Sequence, residues 1–270
     1  MTISDKHLKV HFIAGTPNPQ QLVWLAAHRD YAEELSIVDS PSAKQPKTEK
    51  EAGDILPGML LNKGHFGPLE HPQMTFEICG FSQPIMTQLR THRIGATFDY
   101  TSGRYTSQRF LDLADLYAQL SPDDWESWGC RDLTPAARKV LEASERVFYA
   151  RPPGDYTDRK GKRFTITEGS YLDSHRHFVE TACIYADKVR VEGYSEETAR
   201  GCLATDYRPG GVVSFNARSL MHIFDMRSKA DAQLEIQHIC NLLFEPFQEF
   251  MPEVAAWYLK HRWGKNKIAP

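Results

Sequence analysis

The sequence predicts a mixed α/β (α+β) fold in a single domain spanning residues 1–270. Short segments that alternate apolar and polar residues, as strands do, lie between longer segments whose apolar residues recur every three or four positions, as in helices. A chain of 270 residues is long enough to bury one sizeable core. We find no internal repeat, no low-complexity tract and no linker that would force a second domain.

The first third of the chain is predicted to contain two strands and three helices. Residues 8–14 alternate like a half-buried strand, and residues 74–80 alternate in the same way. A helix is predicted after Asn18 and Pro19, which suit the N-cap and the first helical position. Further helices are predicted over residues 54–63 and 85–92. The polar stretch near residues 36–51 is predicted to be an inserted, exposed loop.

The rest of the chain continues this alternation. Residues 111–147 predict helices broken at Pro122 and Pro135, and residues 148–167 predict a hairpin turning at Lys160-Gly161. The region near residues 111–165 is predicted to be a second insertion. Helices are then expected over residues 174–192, from Glu196 onward, over 216–227 and over 236–251, where Pro246 would kink a continuous helix. Residues 212–215 are predicted to be a short strand.

Composition and charge exclude several classes of protein. The net charge of −3 argues against a general nucleic-acid binder, which needs an excess of basic residues. Five scattered cysteines without a Cys-x-x-Cys pair favour reduced thiols over a disulfide framework or structural zinc. The N-terminus lacks the plan of a signal peptide, and no apolar run approaches the length of a membrane span. We therefore expect a soluble, cytoplasmic protein with no nucleic-acid or membrane partner.

The segment from residue 88 to residue 105 concentrates positive charge around a tight turn. It contains three arginines and a histidine but only one acidic residue, Asp99. Arginine presents a planar fork of donors that matches phosphate, and the Ser102-Gly103 turn offers further donors to an anion. A salt-bridged surface is the alternative for paired arginines. The histidine and the Ser-Gly-Arg-Tyr turn favour a site for a phosphorylated ligand.

This segment resembles the signature of flavin-dependent thymidylate synthases. In that family an Arg-His-Arg triplet is followed, seven or eight residues later, by Ser and then Gly/Ala-Arg-Tyr. His92-Arg93, eight intervening residues and Ser102-Gly103-Arg104-Tyr105 match the longer spacing. The chain departs from the pattern at Thr91, which stands in place of the first arginine with Arg90 one place earlier. It departs again at Asp99, where the family usually has glutamate.

Two further elements of the family follow the expected order. Residues 64–71 contain a Gly-His-x-x-x-x-Glu-His element; taken alone it could be a turn, and it lacks a third ligand for zinc. The resemblance implies that Gly67 contacts flavin and that His65 lies near the folate and flavin rings. Arg200, taken alone, is a solvated helix residue, but the family has an Ala-Arg at this distance before Asn216, and that arginine binds nucleotide phosphate.

The last element is the strongest match after the arginine segment. Asn216-Ala-Arg-Ser-Leu, then Arg227, then Ala-Gln-x-Glu-Ile resembles a block of the family nearly residue for residue. On a helix, Leu220, Ile223 and Phe224 would face the core, while Asn216, Arg218, His222 and Arg227 would line a polar rim. His175-Arg-His177, by contrast, is interpreted as a pair of surface histidines rather than a metal site, because residues two apart on a helix face different ways.

The resemblance implies a fold, a reaction and an assembly. The fold would have a central, mostly antiparallel sheet flanked by helices. The reaction would be reductive methylation of dUMP to dTMP, with methylenetetrahydrofolate as carbon donor, FAD as hydride carrier and NADPH as reductant. The sites would lie between the chains of a homotetramer, and no metal would take part.

The resemblance also implies a role for each site residue. Arg227 would be catalytic, stabilising the anion that activates C5 of the uracil. The residues implied to bind dUMP are Gln88, Leu89, Arg90, Thr91, Asp99, Ser102, Gly103, Arg104, Arg200 and Arg227. The residues implied to bind FAD are His65, Gly67, Thr91, His92, Arg93, Asp99, Asn216, Arg218 and His222.

Two alternatives stay open at this point. The departures at Thr91 and Asp99 are compatible with a sister enzyme that adds a methyl or hydroxymethyl group to another pyrimidine nucleotide. A nucleotide-binding homologue without catalytic activity is the second alternative. The identities of Asn216 and Arg227 argue against that second alternative, because both match the catalytic family.

Overall fold

The computed structural model describes residues 5–130, 132–158 and 160–265 of the chain. In this part, the strands are β1 (Lys9–Gly15), β2 (Gln73–Cys79), β3 (Ala96–Tyr100), β4 (Gly154–Thr157), β5 (Arg163–Ile166) and β6 (Gly210–Asn216). The helices are α1 (Pro19–Arg29), α2 (Glu49–Met59), α3 (Gln83–Leu89), α4 (Gln108–Tyr117), α5 (Pro122–Cys130), α6 (Pro135–Val147), α7 (Glu168–Arg190), α8 (Glu196–Ala199), α9 (Ala217–Arg227), α10 (Leu234–Phe250) and α11 (Pro252–His261).

Four strands form a sheet in the order β1-β2-β6-β3. Backbone hydrogen bonds at the strand ends give the directions. Thr16, after β1, donates to Gln73 at the start of β2, and Ala217, after β6, donates to Pro72 before β2. Asn216 at the end of β6 donates to Gly95 before β3. Each pairing joins the end of one strand to the start of its neighbour, so the sheet is antiparallel, as expected.

By its internal contacts the chain divides into two compact units. Unit 1 comprises Met1–Lys9, Ile78–Gln88 and Tyr100–Gly211, and unit 2 comprises Val10–Glu77, Leu89–Asp99 and Val212–Pro270. Each unit is assembled from segments far apart in sequence. The prediction of one domain with insertions near residues 36–51 and 111–165 stays a prediction.

Unit 2 packs its helices around aromatic and aliphatic side chains. Helices α1 and α11 both contact α2, and α10 contacts α9 and α11. Phe224 of α9 is fully buried, and its ring contacts those of Phe244, Phe247 and Tyr258. As predicted, Leu220, Ile223 and Phe224 face this core. The polar face of α9 is therefore left for the residues of the candidate site.

Unit 1 is organised around the long helix α7, which contacts α4, α5, α6 and α8. Its core includes the buried rings of Phe110, Phe148, Phe178 and Tyr185. Pro122 and Pro135 each stand at the start of a helix, where a missing N–H is not needed, so the predicted breaks are confirmed. The predicted hairpin is present as the antiparallel pair β4 and β5, but its first strand is Gly154–Thr157 and not residues 148–151.

Several predicted boundaries and exposures were wrong. Helix α7 begins at Glu168 rather than near residue 174, because Thr167 caps it by accepting a hydrogen bond from the Ser170 N–H. Helix α2 begins at Glu49, capped in the same way by Thr48. Strand β1 is mostly exposed rather than half-buried, since it is an edge strand.

The interpretation of two surface histidines holds only for His177. His175 is completely buried, and its Nδ1 lies 2.9 Å from the hydroxyl of Ser144 on α6. A buried imidazole is compatible with the unit 1 core because it is hydrogen-bonded and packs against the rings of Tyr171 and Phe178. Residues two apart on α7 do face different ways, and one of the two faces inward.

Within the described side chains, the thiols of Cys183, Cys202 and Cys240 form no disulfide. Cys130 lies outside the described side chains. Among the described residues, no helix combines the length and the apolar character needed to cross a bilayer.

Candidate functional site

The candidate site in unit 2 starts from the N-terminus of α9. Asn216 is the N-cap of this helix, and its side-chain oxygen accepts a hydrogen bond of 2.7 Å from the Ser219 N–H. The Asn216 N–H in turn donates to the carbonyl of Gly95, 2.9 Å away. Asn216 is thus buried within the fold and anchors the segment 93–95 against α9, rather than lying on the predicted polar rim.

A cavity of about 540 Å³ opens beside α9. Its volume is within the range of small-molecule sites. The lining residues are Glu70, Thr91, His92, Arg93, Ile94, Arg218, Ser219 and His222. Thr91, His92, Arg93, Arg218 and His222 were all predicted to bind a cofactor, so the structure brings together the arginine segment and the α9 block.

Glu70, Ile94 and Ser219 line the cavity but were not predicted. Glu70 belongs to the Gly-His…Glu-His element, and that motif was the signal available for it. Its carboxylate lies 2.6 Å from Nη1 of Arg218. The Ser219 hydroxyl donates to the carbonyl of Ile94. These contacts fix the Arg218 guanidinium and the loop that carries Arg93.

Arg227, at the last position of α9, contacts a histidine from the arginine segment. Its Nε donates a hydrogen bond of 3.0 Å to Nε2 of His92. The imidazole of His222 meets that of His92 edge to face, with ring centroids 5.3 Å apart. Burial, the charge of Arg227 and the neighbouring His222 together lower the pKa of His92 to about 4. Burial also lowers the pKa of His222. Both imidazoles are therefore neutral near pH 7.

His65 and Gly67 take a different place in unit 2. Within the described residues, neither belongs to the lining of the cavity beside α9. His65 Nε2 lies 3.4 Å from a carboxylate oxygen of Asp30, and both side chains are about half exposed. Gly67 begins a short 3₁₀ turn, Gly67–Glu70, that leads to Glu70.

A second group of predicted residues lies in unit 1. The chain turns at Ser102, whose carbonyl accepts hydrogen bonds from the N–H groups of Tyr105 and Thr106. The Arg200 side chain approaches this turn closely, since a Cβ added at Gly103 would lie 3.8 Å from Arg200 Cδ. Arg104 Nε lies 3.1 Å from a carboxylate oxygen of Glu197. The structure thus places Arg200 beside the Ser102-Gly103-Arg104 turn, as the phosphate-site prediction requires.

The remaining predicted nucleotide contacts differ in exposure. Leu89 at the end of α3 is fully buried, so in the single chain it offers no surface to a ligand. Arg90, Thr91 and Asp99 are exposed. Gln88 lies in unit 1 and the other four residues lie in unit 2.

Comparison with known proteins gives consistent matches over nearly the whole chain. The family model for thymidylate synthase complementing protein (Thy1) matches residues 11–253. The flavin-dependent thymidylate synthase of Halobacterium salinarum is 30% identical over 286 residues, covering 97% of this chain and 100% of the relative. That of Haloarcula marismortui is 31% identical over 280 residues, with the same coverage.

Solved structures share the fold at lower identity. Thymidylate synthase X (ThyX) from Helicobacter pylori, crystallised with FAD and dUMP, matches with a TM-score of 0.63 and 18% identity over 92% of this chain and 98% of that chain. The UMP/dUMP methylase PolB from Streptomyces cacaoi, bound with 5-Br dUMP, matches with a TM-score of 0.65 and 16% identity over 97% of each chain. The predicted fold class is thereby confirmed. The match of the family model and the two full-length relatives show that this chain belongs to the flavin-dependent thymidylate synthase family.

Proposed function

We propose that this chain catalyses the reductive methylation of dUMP to dTMP, with methylenetetrahydrofolate as carbon donor, FAD as hydride carrier and NADPH as reductant. The observation that carries the proposal is the position of Arg227. Its guanidinium is hydrogen-bonded to a neutral imidazole that lines the cavity beside α9. A fixed positive charge in a partly buried site is suited to stabilise an anion that develops during a reaction.

The chemistry assigned to Arg227 concerns the uracil ring. C5 of uracil is a poor nucleophile until N3 loses its proton and the charge delocalises toward C5. The Arg227 side chain is partly buried, so its charge is less screened than a surface charge. We expect the loss of such a charge to raise the barrier by about 3 kcal/mol or more.

The cavity beside α9 has donors that fit a flavin dinucleotide. The guanidinium groups of Arg93 and Arg218 would hold its phosphates, assisted by Thr91 and by the N–H groups of the neutral His92 and His222. Asn216 would contribute indirectly to cofactor binding. Its side chain caps α9, and its backbone anchors the loop that carries Arg93. When bound, FAD would supply the hydride that completes the methyl group. His65, Gly67 and Asp99 would contact the cofactor from outside this cavity.

The dUMP phosphate would bind at the turn in unit 1. Ser102 and Gly103 offer donors from the turn, and Arg104 and Arg200 supply the opposing charge. Arg104 is at present paired with Glu197. Both side chains of this pair are more than half exposed, so the ion pair is weak and a phosphate dianion would compete with it effectively.

The cysteines are not required for this chemistry. Burial raises the pKa of Cys183 to about 11 and also raises the pKa of Cys202. The pKa of the completely buried Cys240 is raised as well. Because the thiolate is the nucleophilic form, these groups are poor nucleophiles at neutral pH. Their state supports a mechanism in which the uracil is activated by charge.

We propose a homotetramer in which Gln88, Arg90 and Thr91 contact the nucleotide of a neighbouring subunit, while the buried Leu89 holds this segment in place. Arg90 and Thr91 are exposed in the single chain. Residues that bind a ligand across a subunit interface must be exposed in this way. The edge strand β1 supports the assembly, because Phe12 and Ile13 are 45% and 55% exposed there. Apolar side chains on an open strand edge are typical of surfaces that another chain covers.

A spectrum and a product assay test the proposal. The purified protein, incubated with FAD and passed through a desalting column, should retain a flavin absorbance band. With NADPH, methylenetetrahydrofolate and dUMP it should then form dTMP, identified by mass spectrometry. Protein that takes up no FAD and yields no dTMP would overturn the proposal.

A second candidate function is the transfer of a methyl or hydroxymethyl group to another pyrimidine nucleotide. Thr91 and Asp99 differ from the family signature, and the fold matches a UMP/dUMP methylase as well as it matches a ThyX enzyme. Parallel incubations with dUMP, UMP and dCMP separate the two candidates. The main proposal expects dTMP as the dominant product, and a dominant product from UMP or dCMP would favour the second.

A further inference from the structure

The partner of Arg227 is unusual for an arginine with a partly buried guanidinium. In the part of the chain that the structure describes, Arg227 forms no ion pair with a carboxylate, and its hydrogen bond is the one to His92. Arginine has five N–H donors and no acceptor. The hydrogen bond therefore requires a lone pair on His92 Nε2, which places the imidazole proton on Nδ1.

The surroundings of His92 maintain this state. Its side chain is packed against the imidazole of His222, which is neutral for the same physical reason, namely burial next to arginines. A proton on His92 Nε2 would point at the Nε–H of Arg227, and protonation of both ring nitrogens would place two positive groups 3.0 Å apart. The contact with Arg227 therefore requires a neutral His92 imidazole with its proton on Nδ1.

A neutral acceptor has a consequence that a carboxylate would not have. A carboxylate would orient the guanidinium but would also cancel much of its field, because an ion pair in a partly buried site is poorly screened. The imidazole orients the guanidinium plane through Nε and leaves the positive charge intact. The four N–H groups on Nη1 and Nη2 stay available for a ligand.

We propose that His92 is a positioning residue that orients Arg227 toward the pyrimidine without neutralising its charge. This inference rests on the proposed function, in which Arg227 stabilises the pyrimidine anion. It gives His92 a task in addition to the FAD contact expected from the family signature. His92 acts through Arg227 in this task and does not itself touch the reacting atoms.

Two substitutions of His92 with side chains of equal size distinguish the orientation of Arg227 from the neutralisation of its charge. His92→Gln supplies a neutral amide oxygen that can accept from Arg227, and His92→Glu supplies a carboxylate of the same length. We expect kcat for dTMP formation to fall by less than about tenfold in His92→Gln and by roughly a hundredfold or more in His92→Glu. The melting temperature of His92→Glu should be equal to or higher than that of His92→Gln, because the new carboxylate pairs with Arg227.

A merely structural role of His92 would not produce this pattern, since stability and activity would fall together. The exposed His177 provides matched controls, and His177→Gln and His177→Glu should leave kcat and KM unchanged. In an Arg227→Gln background, exchanging Gln for Glu at position 92 should change kcat by less than about threefold, because coupled residues are not additive. Equal losses of kcat in the Gln and Glu variants would overturn the inference. It would also be overturned if the difference in kcat between these two variants were as large in the Arg227→Gln background as in the wild type.

Failure of the proposed function gives a different result. In that case the wild-type protein forms no dTMP, whereas failure of the inference requires an active wild type whose variants do not differ. The tautomer of His92 is measurable without any substrate, by ¹⁵N NMR of histidine-labelled protein at pH 7. We expect an unprotonated Nε2 whose signal shifts in Arg227→Gln. A protonated Nε2 would overturn the inference independently of activity.

Discussion

At the scale of single residues, Gly95 shows why the loop that carries Arg93 follows α9 so closely. Its φ of +63° is a left-handed conformation that favours glycine. A Cβ at this position would lie 2.1 Å from Asn216 Nδ2 and 2.5 Å from Ser219 Oγ. No rearrangement of exposed side chains relieves these contacts, because Asn216 and Ser219 are buried at the start of α9. Only glycine permits this approach.

We predict that Gly95→Ala lowers the free energy of unfolding by about 3 kcal/mol, from backbone strain together with the steric clash. FAD affinity should fall as well, since the displaced loop carries Arg93 and Ile94 into the cavity lining. Gly161→Ala is the matched control: its φ is +80°, but no atom lies within 4 Å of the added Cβ. The control should lose only about 1–2 kcal/mol. Denaturant unfolding and FAD titration measure both effects, and equal losses would contradict the account.

The residues of the candidate cavity could be predicted from the sequence only where a motif marked them. His92, Arg93, Arg218 and His222 belong to recognised blocks, and the structure brings them together. Ser219 belongs to the Asn-Ala-Arg-Ser-Leu block but was given no role, and Ile94 carried no signal because aliphatic residues occur in every kind of surface. The pairing of His92 with Arg227 spans 135 residues in sequence. Such a contact depends on how α9 packs against the rest of unit 2. The periodicity and short motifs of the sequence do not predict this packing.

At the scale of elements, helix α7 shows how a capping signal and a buried polar residue together define one helix. Thr167 supplies the cap, and the helix continues for 23 residues to Arg190. His175 faces the core of unit 1, where burial lowers its pKa to about 3. Its Nδ1 is hydrogen-bonded to Ser144. Position on the helix, rather than residue type, decides that His175 is buried and His177 exposed.

This burial predicts a dependence of stability on pH. The unfolded chain protonates His175 near the ordinary histidine pKa of 6.5, whereas burial lowers the pKa of His175 in the folded chain to about 3. The unfolded state therefore binds more protons between these values, and stability falls as pH decreases through this window, by up to about 1.4 kcal/mol per pH unit for this group. His92, with a pKa of about 4, adds a loss of the same sign.

The contribution of His175 is measurable by substitution. His175→Gln should make the free energy of unfolding fall less steeply between pH 6.5 and pH 5, because glutamine does not titrate. The test compares how steeply the free energy of unfolding changes with pH. A lower stability of the variant at pH 7 therefore does not affect it. His177→Gln on the same helix should leave the slope unchanged. An unaltered slope in His175→Gln would show that His175 is not the source of the pH dependence.

Helix α9 is attached to α11 by a buried ion pair that lies next to the candidate site. Asp225 has a fully buried side chain, and its carboxylate lies 2.8 Å from Nη2 of Arg262. It also accepts a hydrogen bond of 2.7 Å from the hydroxyl of Tyr258. Asp225 is two residues from Arg227, so this attachment fixes the end of α9 that carries the proposed catalytic arginine.

We predict that Asp225→Ala lowers the free energy of unfolding by about 3–5 kcal/mol, because it removes the buried carboxylate that pairs with Arg262 and accepts from the Tyr258 hydroxyl. Asp115→Ala is the control, since Asp115 pairs with Arg190 on the surface, where both side chains are about half exposed. That exposed pair should contribute little to stability, because solvent and salt screen it. Urea unfolding followed by tryptophan fluorescence measures both values. A loss in Asp225→Ala as small as that of the control would contradict the role given to the buried pair.

At the scale of the whole molecule, three strands of the four-stranded sheet were predicted from the sequence, but β3 and the order of the strands were not. Residues 74–80 and 212–215 show strand patterns in the sequence, and both are strands in the structure. The order β1-β2-β6-β3 places β6 beside β2, across more than 130 residues of sequence. The division into two units is equally hidden in the sequence, because each unit is assembled from separate segments.

The residues proposed to bind the nucleotide are distributed over the two units of the chain. The proposed phosphate ligands Arg104 and Arg200 belong to unit 1, and Arg227 belongs to unit 2. The proposed function requires the phosphate of one nucleotide to contact Arg104 and Arg200 and its uracil ring to contact Arg227, and different chains of the proposed tetramer can supply these contacts.

A crystal structure of the protein with FAD and dUMP tests this requirement most directly. We expect the Nη groups of one Arg227 to lie within hydrogen-bonding distance of the uracil ring, while Arg104 and Arg200 contact the phosphate of the same nucleotide. The flavin ring should lie against that uracil. A nucleotide bound without Arg227, or with its phosphate away from both Arg104 and Arg200, would contradict the account.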